Sequence, residues 1–486
     1  MMADPQEKLQ TFQRGDVVTV AIDSLAFGGQ GVARLNGLVV FVEGGLPGQR
    51  LEVRLIKKKK NFAEAVIERL IEQSPYHQQA VCPHFGACGG CTLQHLVYDQ
   101  QLRFKQQQVI EALERIGGFT DTEVRPTLPS PDPFYYRNKM EFSFSPSRWL
   151  TPAEMAIDRD RDPGLYLGLH VKNFFEKIID VQSCHLLSPL AADVVNTVRS
   201  FSQSTGRPAY QTRAHEGFWR FLVIRQSKNI DQLMVNLVTF EHDAKIAGQF
   251  RALMLDRFPQ ITSLLYSTTR SRSGVAHGEE EFLLAGRAVI EEKLGGFVYE
   301  ISSNSFFQTN TRQAERLYTQ VMQFAELSPD QTVYDLYCGA GTISLFISRQ
   351  VRRVIGFEAA SAAIADAKKN AAANRVENCE FVASDLRNLR RDSAEVLHRH
   401  GAPEVVIVDP PRGGMHPQTV QALLHLRPRR IVHVSCNPAT LARDLQELCR
   451  EHYRLEAVQP VDMFPHTYHI EVVAQLSLRS ATPSHS

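Results

Sequence analysis

The 486-residue sequence has no apolar run approaching the ~18 residues that a membrane-spanning helix needs. Its first stretch, Met1 to Asp16, is polar and contains no hydrophobic leader core. These two absences make the cytoplasm the expected compartment. There paired disulfides are disfavoured, and clustered cysteines point to metal or catalysis. An excess of one charge is missing too: 54 Lys+Arg balance 53 Asp+Glu, for a net of +1. Bulk electrostatics therefore selects no polyanion partner, and a nucleic-acid ligand has to be read from local patches. Low-complexity tracts and solenoid repeats are absent, which excludes fibrous and repeat architectures. What remains is an ordinary globular composition, 43% hydrophobic and 22% charged. At about 100–200 residues per domain, the length suggests two to four domains.

The character of the chain changes twice. Residues 12–71 read as a small β-barrel of the kind that binds single-stranded nucleic acid. Short strand-like runs alternate there with turns at Phe27-Gly28-Gly29-Gln30-Gly31, Asn36-Gly37 and Leu46-Pro47-Gly48. Lys57 to Lys60 form a local basic patch near Arg54, either a solvated face or a contact for phosphates. Residues 72–300 read as α+β, with a cysteine-rich stretch from Cys82 to Cys91 and a helix over about 98–117 ended by Gly117-Gly118. That helix is expected to pack on the domain that follows. Residues 301–486 alternate apolar strands with helices, which predicts a doubly wound parallel sheet of Rossmann type. In such sheets a ligand sits beyond the carboxyl ends of the strands. The tail from Ser480 is expected to be disordered.

Two kinds of chemistry fall at those strand ends. Asp335-Leu336-Tyr337-Cys338-Gly339-Ala340-Gly341-Thr342 follows the first strand, and Glu358 ends the next, 23 residues after Asp335. The glycines permit a tight turn and close approach of a ligand, and Glu358 suits two ribose hydroxyls. The acidic Asp335 disfavours a pyrophosphate and suits a cationic amino-acid moiety, as in S-adenosylmethionine. Asp385, after the third strand, reads as an adenine contact or as a helix cap. Asp409-Pro410-Pro411-Arg412 follows the fourth strand and Ser435-Cys436-Asn437-Pro438 the fifth. Position therefore favours Cys436 as a nucleophile over a small core residue. Cys379 and Cys449 lack that context and read as structural, while Cys338 stays open. Glu471, entering the last strand, is a candidate base or one half of an ion pair. Four cysteines, Cys82, Cys88, Cys91 and Cys184, could hold zinc or an iron–sulfur cluster, although only one Cys-x2-Cys pair is present.

Several motifs occur in order: Tyr136-Arg137-Asn138-Lys139, Ser305-Phe306-Phe307-Gln308-Thr309-Asn310, Asp335 to Gly341, Asp409 to Arg412, Ser435 to Pro438 and His469-Ile470-Glu471. Together they resemble the RNA uracil-5-methyltransferase family, and more closely its bacterial large-subunit ribosomal RNA branch, over nearly the whole chain. The resemblance implies a SAM-dependent methyltransferase acting on a uridine of 23S ribosomal RNA, with an N-terminal TRAM barrel and a central domain carrying a [4Fe-4S] cluster on Cys82, Cys88, Cys91 and Cys184. The transfer-RNA branch typically lacks both the barrel and the cysteines. Cys436 is implied as the nucleophile and Glu471 as the base, with Gln308, Tyr337, Thr342, Glu358, Asp385 and Asp409 as cofactor contacts. Thr342 stands where the family commonly has asparagine. Phe306 and Phe307 are candidates for base stacking or for core packing. A soluble monomer is expected. The alternatives are transfer RNA as substrate, or a non-catalytic RNA-binding assembly factor.

Overall fold

A computed structural model describes residues 12–150, 164–172 and 174–479. The tail from Ser480 lies outside the described residues. The N-terminal unit is a six-stranded sheet of Val17–Ala21, Ser24–Leu25, Gly31–Leu35, Leu38–Val42, Arg50–Lys58 and Phe62–Glu72, ordered first, fifth, sixth, fourth, third, second. Alternation sorts its faces. Leu51, Val53 and Leu55 point into a core with Val20, Val40 and Ala63, while Arg54 and Ile56 face outwards. Asn36 and Gly37 both take positive φ, 49° and 83°, as a two-residue hairpin turn demands.

The central unit is a seven-stranded sheet backed by the helices Pro189–Ser204 and Ala244–Arg257. Before it runs the helix Tyr98–Ala112, continued by one π turn, Leu113–Gly117, and closed by left-handed Gly118. Val109 and Leu113 of this segment are buried among Leu441, Leu445 and Val458 of the C-terminal unit. Lys105 reaches Asp462 at 2.6 Å, and both side chains are wholly buried. Removing one charge of such a pair leaves the other desolvated and uncompensated. Lys105→Met is therefore expected to cost about 3–5 kcal/mol, while Lys105→Met/Asp462→Leu recovers most of it. Thermal midpoints of the three proteins check this.

The C-terminal sheet has seven strands, in the spatial order Cys379–Ala383, Arg353–Glu358, Thr332–Leu336, Val405–Val408, Arg430–Ser435, Glu471–Leu478 and Tyr453–Val461. Its first five strands are parallel, and Glu471–Leu478 runs antiparallel to both neighbours. The chain leaves Thr332–Leu336 towards one edge and returns on its other side at Val405–Val408. The crevice at this reversal is where α/β sheets bind ligands. Among the described residues no helix is long and apolar enough to cross a membrane.

Candidate active site

Asp335 is fully buried next to the end of the first strand of this sheet. Its Oδ2 accepts a 2.5 Å hydrogen bond from Ser344 Oγ, while its Oδ1 has no partner among the described residues. Burial pushes its carboxyl up to about 7; the Ser344 hydrogen bond opposes this, and the charges of Asp409 and Glu358 add to it. A cationic group in the crevice would relieve both the charge crowding and the orphaned oxygen. Beyond Asp335 the backbone turns left-handed at Tyr337 (φ 65°), Gly339 (54°) and Gly341 (77°). The two glycines serve different ends. A Cβ on Gly339 would meet nothing within 4 Å, whereas one on Gly341 would lie 2.8 Å from Phe381 Cζ. Gly341 thus permits packing, and Gly339 leaves the loop open towards the crevice. Cys338 is buried against Gly356, where a Cβ would come 2.9 Å from its sulfur, so it is a packing residue.

The other expected cofactor contacts have partners of their own. Glu358 ends the second strand, and its Oε1 accepts from Ala360 N at 2.9 Å. Thr342 Oγ1 lies 3.0 Å from the Tyr318 hydroxyl, which the sequence did not single out. The Gln308 carbonyl accepts from Asn138 Nδ2 at 2.8 Å, which ties the Phe306-Phe307-Gln308 loop to the central unit. Of its two aromatics, Phe307 is core, packed near Tyr299, and Phe306 is 75% exposed. Asp385 caps the short turn Leu386–Asn388 through Arg387 N and pairs with the Arg387 side chain at 2.6 Å. Those bonds pull its carboxyl down to about 2.

Cys436 directly follows Arg430–Ser435, and the last cross-strand pair is Ser435↔Val472, so Cys436 and Glu471 are the residues immediately beyond it on the two strands. Burial pushes the half-buried thiol up to about 11; the Glu471 charge adds to this and Arg412 opposes it. Glu471 is buried, and its carboxyl is driven well above the usual range by burial and then by Asp409, again against Arg412. Asp409 is itself raised to about 6 by burial. Arg412 thus acts electrostatically on both the thiol and the carboxyl. It belongs to the Asp-Pro-Pro-Arg motif, yet its role was not legible before the loop was folded. Its carbonyl accepts from Asn437 Nδ2 at 3.3 Å, and its Nη2 lies 3.0 Å from His469 Nδ1. His469 is pushed down to about 4 by burial and by Arg412, so it is a neutral acceptor. The helix Pro438–Cys449 starts immediately after Cys436, with the Asn437 side chain capping Ala439 N at 3.0 Å. Its positive end favours a thiolate at Cys436.

A second centre lies in the central unit. Cys82, Cys88, Cys91 and Cys184 line one cavity of about 470 Å³, together with Arg137 and Lys172. All four are free thiols. Burial raises Cys88 to about 11 and Cys91 to about 12. Among the described residues no three His, Cys, Asp or Glu side chains are drawn together closely enough to hold a metal ion.

Comparison with known proteins agrees with this architecture. The family described as tRNA (Uracil-5-)-methyltransferase matches residues 279–479, and the TRAM domain matches residues 11–67. An uncharacterized RNA methyltransferase of Chlorobaculum tepidum is 41% identical over 467 residues, covering 95% of this chain and 96% of the relative. One from Porphyromonas gingivalis is 42% identical over 461 residues, covering 94% and 98%. The crystal structure of Pyrococcus abyssi tRNA (uracil-54, C5)-methyltransferase in complex with S-adenosyl-L-homocysteine superposes with a TM-score of 0.71 at 32% identity, covering 94% of this chain and 99% of that one. With relatives matched along nearly its full length, the chain belongs to the S-adenosylmethionine-dependent RNA uracil-5-methyltransferase family and carries an N-terminal TRAM domain.

Proposed function

We propose that the protein methylates carbon 5 of a uridine in 23S ribosomal RNA through a covalent Cys436–uracil intermediate. The observation that carries this reading is that Cys436 and Glu471 are the next residues beyond the last cross-strand pair, Ser435 and Val472, at the sheet's carboxyl edge, and that Glu471 acts electrostatically on the thiol. Uracil carbon 5 is too weak a nucleophile to take a methyl group unaided. The Cys436 thiolate adds to carbon 6, and the ring electrons move to the carbonyl oxygen at position 4 as an enolate. Carbon 5 then takes the methyl group, which S-adenosylmethionine supplies as an electrophile on a sulfonium. Glu471 removes the proton from carbon 5, the carbon 5–carbon 6 double bond re-forms and the Cys436 thiolate leaves. Asp335 and Glu358 hold the cofactor's amino group and ribose, with Gln308, Tyr337, Thr342 and Asp409 as further contacts. Asp385 serves first as a cap and contacts the adenine only through what its pairing with Arg387 leaves open.

The uracil must leave its stack to reach Cys436, at a cost of a few kcal/mol. Exposed Phe306 suits a stacking role at the rim, and buried Phe307 does not. In the barrel, Lys57 is paired with Glu64 at 2.6 Å, and Lys58 donates to the Lys59 carbonyl. Lys59 and Lys60 remain exposed at the strand end. Lys59→Ala/Lys60→Ala is expected to weaken RNA binding and to flatten its log–log salt dependence by about 0.7 for each phosphate no longer neutralised. Binding titrations at several salt concentrations check this, and an unchanged slope puts the RNA on another face.

The four thiols suit a [4Fe-4S] cluster as the resident group. The donor set is all thiol, as such clusters require. The four cysteines line one cavity. A cluster there would fasten the Cys82–Cys91 stretch to Cys184 and supply a structural link.

Ribosomal RNA is favoured by the resemblance of the ordered motif set to the large-subunit branch. The barrel does not discriminate, because the Pyrococcus abyssi transfer-RNA enzyme matches 94% of this chain and therefore reaches into the barrel. The test is a covalent trap: 23S fragments and transfer-RNA transcripts containing 5-fluorouridine are mixed with the protein and S-adenosylmethionine. Fluorine cannot leave as a cation, so a denaturation-resistant adduct is expected with a 23S fragment. Adducts with transfer RNA alone would replace the substrate, and none at all, with cofactor bound, would remove the covalent mechanism.

A further inference from the structure

The helix Tyr98–Ala112 precedes the central sheet in sequence but presents three polar side chains to the catalytic unit. Tyr98, Gln101 and Lys105 stand at positions i, i+3 and i+7, on one helical face. All three end on the connection 462–470, which joins Tyr453–Val461 to Glu471–Leu478. Lys105 Nζ donates to Asp462 Oδ1 at 2.6 Å and to the Phe464 carbonyl at 3.2 Å. The Tyr98 hydroxyl donates to Asp462 Oδ2 at 2.7 Å and accepts from Ser130 N at 2.9 Å. Gln101 Oε1 accepts from His466 N at 3.0 Å, and its Nε2 lies 3.2 Å from His466 Nδ1. From the cysteine-rich side, Thr92 N and Leu93 N both donate to the His466 carbonyl at 2.9 Å. His466 sits at φ 64°, a conformation a non-glycine residue keeps only when its surroundings enforce it.

The target of this grip is one step from Glu471. Val461 is the cross-strand partner of Glu471, and Asp462 follows Val461 directly. The same connection carries His469, against which Arg412 rests. Burying a lysine, an aspartate and a glutamine to dock a helix is a costly alternative to leucines, and packing alone does not call for it.

We infer that the helix Tyr98–Ala112 is a positioning element for the reaction, with Tyr98, Gln101 and Lys105 fixing the 462–470 connection so that Glu471 meets the proton on carbon 5 of the adduct. This rests on the reading of Cys436 and Glu471 given above. These three are positioning residues, not catalytic ones, because their side chains end on Asp462, Phe464 and His466 of the connection. Loosening them leaves thiolate addition and methyl transfer intact and slows the proton removal that follows.

The test uses Tyr98→Phe and Gln101→Leu in the full-length protein, with a substrate RNA carrying tritium at uridine carbon 5 and S-adenosylmethionine. In the wild type, methyl incorporation and tritium release keep pace. In the variants, methyl incorporation runs ahead of tritium release as a burst, and a methylated protein–RNA adduct survives denaturation. Because only a step after methyl transfer slows, kcat and the KM for RNA fall together, about tenfold to a hundredfold, the cost of a small misplacement, and kcat/KM is unchanged. The variant Lys105→Met/Asp462→Leu is expected to recover most of the stability that Lys105→Met loses and still to stall. Methyl and tritium keeping pace in the variants overturns the inference, as does wild-type turnover in Lys105→Met/Asp462→Leu. A wild type that forms no adduct with 5-fluorouridine RNA defeats the Cys436–Glu471 reading instead, so the two failures are distinguishable.

Discussion

Replacing Cys436 by alanine is expected to abolish methyl transfer, by more than about 10⁴-fold in kcat, while the affinity for S-adenosylmethionine stays at the wild-type value. The argument is positional. The thiol lies at the carboxyl end of a buried strand, beside a helix N-terminus and within the influence of Arg412. The chain's other catalytic-unit cysteines cannot substitute. Cys338 is packed against Gly356, Cys379 opens the sheet's edge strand at its amino end, and Cys449 ends a helix. Burial holds Cys379 and Cys449 up at about 12. The variant should give no adduct with 5-fluorouridine RNA. Residual methylation above a few per cent, by radiolabel incorporation into the same RNA, would mean that carbon 5 is activated without this sulfur.

Glu471→Gln is expected to fail at a different step. Addition of Cys436 and methylation of carbon 5 need no base at position 471, so one methyl group per protein should appear in a burst. The adduct should then persist on natural RNA, with steady-state turnover reduced about 10²–10⁴-fold. Denaturing electrophoresis of labelled RNA reads the trapped species. The pH profile follows from the same environment. Glu471 must be ionised to accept the proton, and Cys436 must be ionised to attack. Burial raises both groups, so both become competent only as pH rises. In the wild type, kcat should therefore climb with pH through the neutral range. Arg412 opposes both shifts, so Arg412→Ala should move the acid limb to higher pH as well as lower the rate. An acid limb that does not move would relieve Arg412 of this electrostatic role.

Much of this was already carried by local patterns. The run Val405 to Val408 is a strand with those bounds, and Ile431 to Val434 lies within Arg430–Ser435. Apolar runs separated by helical stretches dictate a parallel sheet, and a parallel sheet dictates where its ligands go. That logic alone puts Asp335, Glu358, Asp409 and Cys436 at one edge. The turn at Asn36-Gly37 was legible for a similar reason, because a two-residue hairpin admits few residue pairs.

Other features depend on contacts between distant residues, about which local sequence is silent. Phe306 and Phe307 are adjacent and identical in kind, yet one is exposed and the other is core, because only burial against Tyr299 separates them. Asp385 could cap or contact a ligand, and the folded chain shows the cap, because Arg387 lies within reach. Lys105 and Asp462 are far apart in sequence and find each other only through the packing of a helix on another unit. The placement of Cys436 and Glu471 just beyond one cross-strand pair arises from an antiparallel strand inserted beside a parallel one. Residue order along the chain therefore determined the fold class and the list of chemically able groups. Only the tertiary structure decided which of them face one another, because register and desolvation, and with them the protonation of Glu471 and Cys436, are set by strands and helices that the local sequence does not touch.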